Sequence, residues 1–152
     1  MVKRILIGIT FGVLSLLVIA CGGSGTPTAT PGQIGSYTKV NNTWSVLFQS
    51  SEITNNNYGS TFIPGSKLLA IHFTVRNNSP TAVSLNPGHA FSVTDNNGKS
   101  INGFVTGFTN SLINAGAIQR GTLVFPIDKN NTQSYTILFT DGNTAVSWQT
   151  KA

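Results

Sequence analysis

Hydrophobic and polar residues alternate along most of the chain after residue 37. The clearest case is the segment 69–76, LAIHFTVR, in which every second position is large and apolar: Leu69, Ile71, Phe73 and Val75. Successive residues of a β-strand point to opposite sides of a sheet, so this period of two places the apolar side chains on one face. The segment therefore predicts a strand with one face in a hydrophobic core.

Shorter stretches with the same alternation recur along the rest of the chain. They cover Trp44–Phe48, Val83–Leu85, Phe91–Val93, Leu123–Phe125, Tyr135–Phe139 and Val146–Trp148. Clusters of Asn, Asp, Gly, Ser and Pro separate many of them, and these residues favour turns. No stretch after residue 37 has helical periodicity. Several short strands joined by turns predict an all-β fold, an antiparallel immunoglobulin-like β-sandwich.

The N-terminal part of the chain has a different pattern. A short basic start precedes an apolar run from residue 5 to residue 20 that contains only two polar side chains. A charged start followed by an apolar run is typical of a secretory signal peptide. The run is slightly shorter than the roughly 17–25 residues that a membrane-spanning helix needs. We therefore predict that residues 1–20 are a cleaved signal peptide, with an uncleaved anchor as the alternative.

The end of the apolar run resembles the lipobox of bacterial lipoprotein precursors, here Val18, Ile19, Ala20 and Cys21. The resemblance implies cleavage before Cys21 and attachment of lipid to that residue, with at least two acyl chains, which hold a protein firmly on a bilayer. Cys21 is the only cysteine, so it has no partner for an internal disulfide. The alternative is an ordinary signal peptide with a cysteine beside the cut. We expect a lipid-anchored protein on the extracytoplasmic face of the cell membrane.

The segment after Cys21 lacks both charge and a core-forming pattern. Residues 22–36, GGSGTPTATPGQIGS, contain hardly any large apolar side chains, and such a segment cannot bury a core. We therefore predict a flexible linker over residues 21–36, beginning at the lipidated cysteine. The remaining residues, 37–152, are sufficient for one sandwich domain.

The charge of the chain is low and scattered. Charged residues make up 9% of the sequence, with nine Lys and Arg against four Asp and Glu and a formal net charge of +5. Removal of residues 1–20, which include Lys3 and Arg4, lowers the net charge to +3. Nucleic-acid-binding proteins gather basic residues in a patch or stripe, and the sequence contains no such run. We expect no nucleic-acid partner and leave the oligomeric state open.

Candidate catalytic groups are few. Ser36 to Lys39 matches the S-x-x-K motif of penicillin-recognising enzymes, but the other motifs of those enzymes are missing. The two histidines are His72, on the more polar face of the best strand, and His89, in a predicted loop. Two histidines without a nearby carboxylate make a poor metal site. We therefore expect no enzyme activity, no cofactor and no metal. The alternatives are an envelope enzyme with a cryptic site that uses these histidines, and a structural or stress protein without a discrete ligand.

One uncharged segment, residues 103–118, allows two interpretations. It reads GFVTGFTNSLINAGAI and contains several large apolar side chains. It is either an irregular strand and crossover packed on the core, or a partly exposed loop that docks a partner, because exposed apolar patches often mark interaction sites. The residues of this candidate docking loop are Phe104, Phe108, Leu112 and Ile113.

Several segments together resemble a domain-of-unknown-function family that is common in bacterial lipoproteins. Residues 65–79 read GSKLLAIHFTVRNNS and contain the element V-x-N-x-S; residues 83–87 read VSLNP, residues 91–99 form a hairpin-like FSVTDNNGK, and residues 121–127 read GTLVFPI. The resemblance covers roughly residues 40–140. It implies a sandwich similar to telokin-like immunoprotective extracellular proteins, and it implies no catalytic residues. We therefore expect an anchored module that binds an unknown envelope protein or ligand.

Overall fold

A computed structural model describes residues 28–55, 58, 66–128 and 133–151. The predicted signal peptide, its cleavage motif Val18–Ala20 and Cys21 lie outside the described residues. The strands of the described part are β1 (Thr30–Pro31), β2 (Tyr37–Lys39), β3 (Trp44–Thr54), β4 (Ser66–Asn77), β5 (Val83–Ser84), β6 (Phe91–Asp95), β7 (Phe104–Thr106), β8 (Leu112–Ile113), β9 (Ile118–Asp128), β10 (Ser134–Asp141) and β11 (Thr144–Lys151). One helical turn, α1 (Pro87–Ala90), lies between β5 and β6.

Two sheets contain most of the strands. One has the order β1-β11-β10-β6 and the other the order β2-β3-β4-β9-β7, while β5 and β8 form a small separate pair. The strand pairs are antiparallel except for β1 and β11, which are parallel. The predicted fold class, an antiparallel β-sandwich, is confirmed.

The core lies between the inner faces of the two sheets. The four alternating apolar residues of β4 are all buried, as the period of two predicts. The Phe73 ring of the five-stranded sheet lies 4.5 Å from that of Phe91, between ring centroids, and Phe91 lies 4.9 Å from Phe139. Such tilted and edge-on arrangements are favourable for aromatic rings. The Phe73–Phe91 contact joins the two sheets, as does the stacked pair Phe48 and Trp148, with ring centroids 6.2 Å apart, whereas Phe91 and Phe139 are neighbours within the four-stranded sheet.

Gly121 in β9 lies directly against the aromatic rings of Phe73 and Phe108. A Cβ atom built at Gly121 would lie 2.7 Å from Cζ of Phe73 and 3.3 Å from Cδ2 of Phe108. The Phe73 and Phe108 rings are stacked, with their centroids 6.1 Å apart. The glycine of the GTLVFPI segment is therefore explained by packing, because any larger side chain would displace the Phe73 ring from the core.

The folded part of the chain begins earlier than the predicted boundary at residue 37. Thr30 pairs with Val146, and the backbone N–H of Gly32 donates to the carbonyl of Ser147 over 2.7 Å. Part of the segment predicted as a flexible linker, residues 21–36, is thus a strand of the four-stranded sheet. Backbone hydrogen bonds at a sheet edge require no apolar side chains, so the composition of the segment does not reveal this pairing.

Helix α1 was not predicted, because a single turn is too short for helical periodicity. Its local signals are nevertheless present. Asn86 is the N-cap and its Oδ1 accepts from the backbone N–H of Gly88 over 3.1 Å, while Pro87 occupies the first turn, where its missing N–H is not needed. The turn places His89, which was predicted to lie in a loop, on α1.

Candidate functional site

The outer face of the five-stranded sheet carries a group of polar side chains around His72. His72 lies opposite Ser50 on β3 and Thr122 on β9, so all three side chains project from the face that points away from the core. A register shift between Phe48 and Ser50 marks a β-bulge next to this position. Bulges redirect side chains and are common beside functional sites. The sequence correctly placed His72 on a partly exposed face, but the bulge depends on strand pairing.

Four side chains form a connected group, which we call the His72 cluster: Glu52, Tyr58, His72 and Thr122. Nδ1 of His72 lies 3.0 Å from Oγ1 of Thr122, and its Nε2 lies 3.6 Å from Oε1 of Glu52. The Tyr58 hydroxyl donates to Oε1 of Glu52 over 3.0 Å. The side chains of His72 and Glu52 are 34% and 51% exposed, and a pair this exposed contributes at most about 1 kcal/mol to stability. The cluster is therefore a polar surface rather than a major source of stability.

A shallow depression adjoins the cluster. Its lining includes Gln49, Ser50, His72, Arg120 and Thr122. These side chains together supply an imidazole, two hydroxyl groups, an amide and a guanidinium group, all of which form hydrogen bonds to polar ligands. The depression is thus suited chemically to a polar or negatively charged group.

The backbone beneath the cluster is already engaged in the sheet. Strand β9 lies between β4 and β7, and Thr122 pairs with His72 on one side and Thr106 on the other. Acyl-transfer enzymes require donors, commonly backbone N–H groups, aimed at the developing oxyanion. Because both edges of β9 are paired here, its backbone offers no such site beside Thr122. The cluster places a base near a hydroxyl group, but it lacks this part of a hydrolase site.

The Tyr58 hydroxyl of the cluster has a raised pKa. Burial raises the pKa of the Tyr58 hydroxyl above its usual value of 10.0, and the hydrogen bond and negative charge of Glu52 raise it further. Because the pKa is higher in the folded than in the unfolded state, its contribution to stability is present below about pH 10 and is lost as the pH rises through the folded-state pKa.

The absorbance titration of Tyr58 is a direct check of this part of the cluster. We expect the difference between the parent and Tyr58→Phe titrations to have a midpoint above pH 10. Glu52→Gln should lower that midpoint without returning it to the usual value of 10.0, because burial is the largest cause of the shift in the Tyr58 pKa. Asp95→Asn, which changes a carboxylate on β6 of the other sheet, is the matched control and should leave the midpoint unchanged. An unchanged midpoint in Glu52→Gln would show that Glu52 does not contact Tyr58 in solution.

The four residues of the candidate docking loop do not form one exposed patch. Phe104 and Phe108 are half-buried and Ile113 is buried. Phe104 lies in β7, which pairs with β9, Phe108 stacks on Phe73, and Ile113 belongs to the core. Leu112 alone among the four is mainly exposed, at 48%. The crossover interpretation therefore describes Phe104, Phe108 and Ile113, and a docking role for Leu112 stays a prediction.

A buried polar residue, Asn77, was not predicted from the sequence. Its Nδ2 donates to the carbonyls of Thr81, Ile113 and Asn114 over 2.7, 2.9 and 3.2 Å, and its Oδ1 accepts from the N–H of Ser79 over 2.9 Å. The run Asn77 to Pro80 indicates a turn, but only the V-x-N-x-S element distinguishes this asparagine from the others. Asn77 links two loops at the end of β4.

The two histidines lie in different parts of the molecule. His89 on α1 lines a cleft with Phe91 and Phe104, whereas His72 lines the depression on the outer sheet face. Within the described ranges, no three side chains of His, Cys, Asp or Glu lie close enough to hold a metal ion. Across the same residues, no helix has the length and hydrophobicity needed to cross a membrane.

The fold and this surface define a β-sandwich with a polar depression on one sheet. The chain belongs to the domain of unknown function family DUF4352, whose model matches residues 33–149. The predicted family resemblance is confirmed, and the match extends beyond residues 40–140 at both ends. No curated protein sequence matches the chain.

Solved structures share the fold at low sequence identity. The lipoprotein candidate YcdA of Bacillus subtilis has a TM-score of 0.59 and 14% identity over 85% of this chain and 39% of its own. A β-sandwich protein of Clostridium difficile has a TM-score of 0.61 and 12% identity over 86% and 99% of the two chains. The secreted protein MPT63 of Mycobacterium tuberculosis has a TM-score of 0.56 and 11% identity over 82% and 98%. The chain thus spans well under half the length of YcdA.

Proposed function

We propose that the protein is a membrane-anchored, extracytoplasmic lipoprotein whose sandwich is a non-catalytic binding module. The observation that carries the proposal is the open polar depression beside the His72 cluster. The core is formed on the opposite face of the same sheet, so the depression can vary in chemistry without loss of the fold. The lipobox at Cys21 supports the anchor, as does the fold shared with a lipoprotein candidate and a secreted protein.

The chemistry of the depression favours binding over catalysis. Its side chains are partly exposed and lie on a rigid sheet, which suits recognition of a polar partner at little entropic cost. Catalysis would also require a preorganised site for developing charge, and the backbone of β9 is occupied by its two neighbouring strands. The proposed partner is a protein or ligand of the cell envelope that presents polar or acidic groups.

Site-directed photocrosslinking in the full-length protein on intact cells tests the binding module. A photoreactive residue at Ser50, in the depression, should capture a discrete partner. The matched control is Gln149, which is exposed on the outer face of the other sheet. His72→Ala should reduce capture from position 50 by at least about tenfold, which is the loss of binding expected when a residue at the centre of an interface is replaced by alanine. Equal capture from both positions would count against a site at the depression.

The anchor has its own test, which does not depend on the ligand. Mass spectrometry of the mature protein should show an N-terminus at Cys21 with at least two acyl chains attached. Cys21→Ser should abolish the modification and release the protein from the membrane fraction at high salt, where electrostatic attraction to lipid headgroups is screened. An unmodified cysteine at the mature N-terminus would overturn the anchor while leaving the binding module open.

A second candidate function, acyl transfer, rests on one observation: the 3.0 Å separation between Nδ1 of His72 and Oγ1 of Thr122. A base within hydrogen-bond reach of a hydroxyl group is the minimal requirement for a nucleophile. If this pair is reactive, an acylating probe should label Thr122 in the parent but not in His72→Gln. The binding proposal expects no such labelling.

A further inference from the structure

We propose that one end of the sandwich rests on the bilayer and binds its anionic headgroups. This end, which we call the tether-proximal end, contains the turn 141–144, the hairpin 40–43 and the end row of the five-stranded sheet. The inference rests on the proposed lipid anchor, and it adds an orientation and a lipid-binding surface at one end of the sheet face that also carries the depression at His72.

The N-terminal chain enters the domain at this end. Strand β1 is parallel to β11 and pairs Thr30 with Val146. The residues that precede Thr30 therefore lie toward Thr144, where β11 begins. Six residues, 22–27, separate Cys21 from Thr28, the first described residue. Even when fully extended, this length of chain reaches only about 25 Å. A lipid on Cys21 therefore keeps the tether-proximal end within about 25 Å of the bilayer.

The end of the five-stranded sheet lies beside the same turn. Nδ2 of Asn41, in the hairpin between β2 and β3, donates to Oδ2 of Asp141 over 2.7 Å and to Oγ1 of Thr144 over 3.3 Å. These bonds join the hairpin of one sheet to the turn of the other. The row of residues next to the hairpin is consequently also close to the entry of the tether.

That row is basic and partly apolar. Lys39 pairs with Ser45, Ser45 with Arg76, and Arg76 with Ile118. Adjacent strands lie about 4.8 Å apart, so the backbone positions of Lys39 and Arg76 are about 10 Å apart. Their side chains project from the same face of the sheet. Both side chains are exposed, and within the described part of the chain neither forms an ion pair. They are free to meet a negatively charged surface.

Acidic side chains do little to neutralise this row. Asp141 is the acidic residue of the described chain at this end, and its carboxylate accepts a hydrogen bond from Asn41. Glu52 pairs with Ala70, six residues along β4 from Arg76 and hence about 20 Å away. Asp95 pairs with Tyr135 near the opposite end of β10. The tether-proximal end therefore keeps a net positive charge.

Exposed apolar side chains accompany the two cations. Ile118, in the same row as Arg76, is 47% exposed. Leu112 is 48% exposed, and the carbonyl of the next residue, Ile113, accepts a hydrogen bond from Asn77 at the same end of β4. Peripheral proteins bind bilayers by combining electrostatic attraction to anionic lipids with burial of apolar side chains at the headgroup boundary. The apolar component favours a bilayer over a soluble polyanion, because a polyanion has no hydrocarbon for Ile118 to enter.

Vesicle sedimentation of the chain 21–152 with Cys21→Ser tests the surface without the lipid. Both sheets are formed by residues 30–151, so this chain contains the complete sandwich. In 7:3 phosphatidylcholine–phosphatidylglycerol vesicles at low salt, each cation near the surface should raise binding about fivefold. Lys39→Glu/Arg76→Glu should therefore bind at least about 25-fold more weakly. The matched control, Lys99→Glu/Lys151→Glu, makes the same charge change on exposed residues at the opposite end and should bind like the parent.

The outcomes separate this surface from the anchor and from other ligands. Binding should weaken in pure phosphatidylcholine vesicles, at high salt, and in Ile118→Ser. Equal loss in the two double variants would overturn the proposal, because it would show that only net charge matters. Equal binding to polyglutamate, with no effect of Ile118→Ser, would also overturn it. None of these outcomes depends on acylation of Cys21, which is measured separately by mass spectrometry.

Discussion

Replacement of Ile71 by aspartate is expected to unfold the domain. Ile71 is fully buried at the centre of β4, between Ser51 on β3 and Leu123 on β9. A carboxylate at this position would lose its water without gaining an ion-pair partner, at a cost of several kcal/mol. Native domains are stable by only about 5–15 kcal/mol. Circular dichroism and urea denaturation at neutral pH should show loss of the cooperative transition or a large fall in its midpoint.

Arg76→Asp is the matched control, because it makes the same substitution on an exposed position of the same strand. Its urea midpoint should remain close to that of the parent, since exposed substitutions usually change stability by less than about 0.5 kcal/mol. A shift of one residue in strand register exchanges the core and solvent faces. If Ile71→Asp were as stable as Arg76→Asp, the assignment of β4 residues to the two faces would be wrong.

Asn77→Ala is expected to destabilise the domain by about 2–4 kcal/mol. The substitution removes the donor for three carbonyl oxygens and the acceptor for the N–H of Ser79. Asn77 is fully buried, so water cannot easily replace these bonds. The free energy of unfolding from urea titration is the measurement. Hydrogen exchange should also show faster exchange of the Ser79 N–H.

Two neighbouring substitutions make the Asn77 result specific. Asn78→Ala removes one hydrogen bond, 2.8 Å long, from an exposed side chain to Oγ of Ser45 and should change stability by only about 0.5 kcal/mol. Asn77→Asp keeps an acceptor for Ser79 but turns a carboxylate toward three carbonyl oxygens. It should therefore be at least as destabilising as Asn77→Ala at neutral pH. A small effect in both Asn77 variants would show that the two loops are held by other contacts.

Strand positions and core residues were largely predictable because they depend on local alternation. Ile71, Ile137 and Trp148 occupy apolar positions of period-two segments, and all are buried. Strand β1 was not predictable in this way, because its contribution is backbone pairing with β11. The segment 103–118 was ambiguous for another reason. Its apolar residues lie on several short elements with different exposure, so no single period describes them.

The candidate site required still more information from the tertiary structure. His72 could be placed on the outer face of a strand from the sequence alone. Its neighbours could not, because Glu52 and Thr122 lie 20 and 50 positions away along the chain. The bulge in β3 and the order β3-β4-β9 bring them together. Likewise, Lys39 and Arg76 are scattered in the sequence but share one row of the sheet.

The sequence by itself determined the all-β class, the inward-facing residues of the main strands and the prediction of an anchor at Cys21. These follow from short-range patterns, since side-chain periodicity and the lipobox involve residues that are close along the chain. Only the tertiary structure decided the pairing of β1, the burial of Asn77, the His72 cluster and the basic row at the tether-proximal end. Each of these depends on strand order and register, which join residues that are distant in sequence.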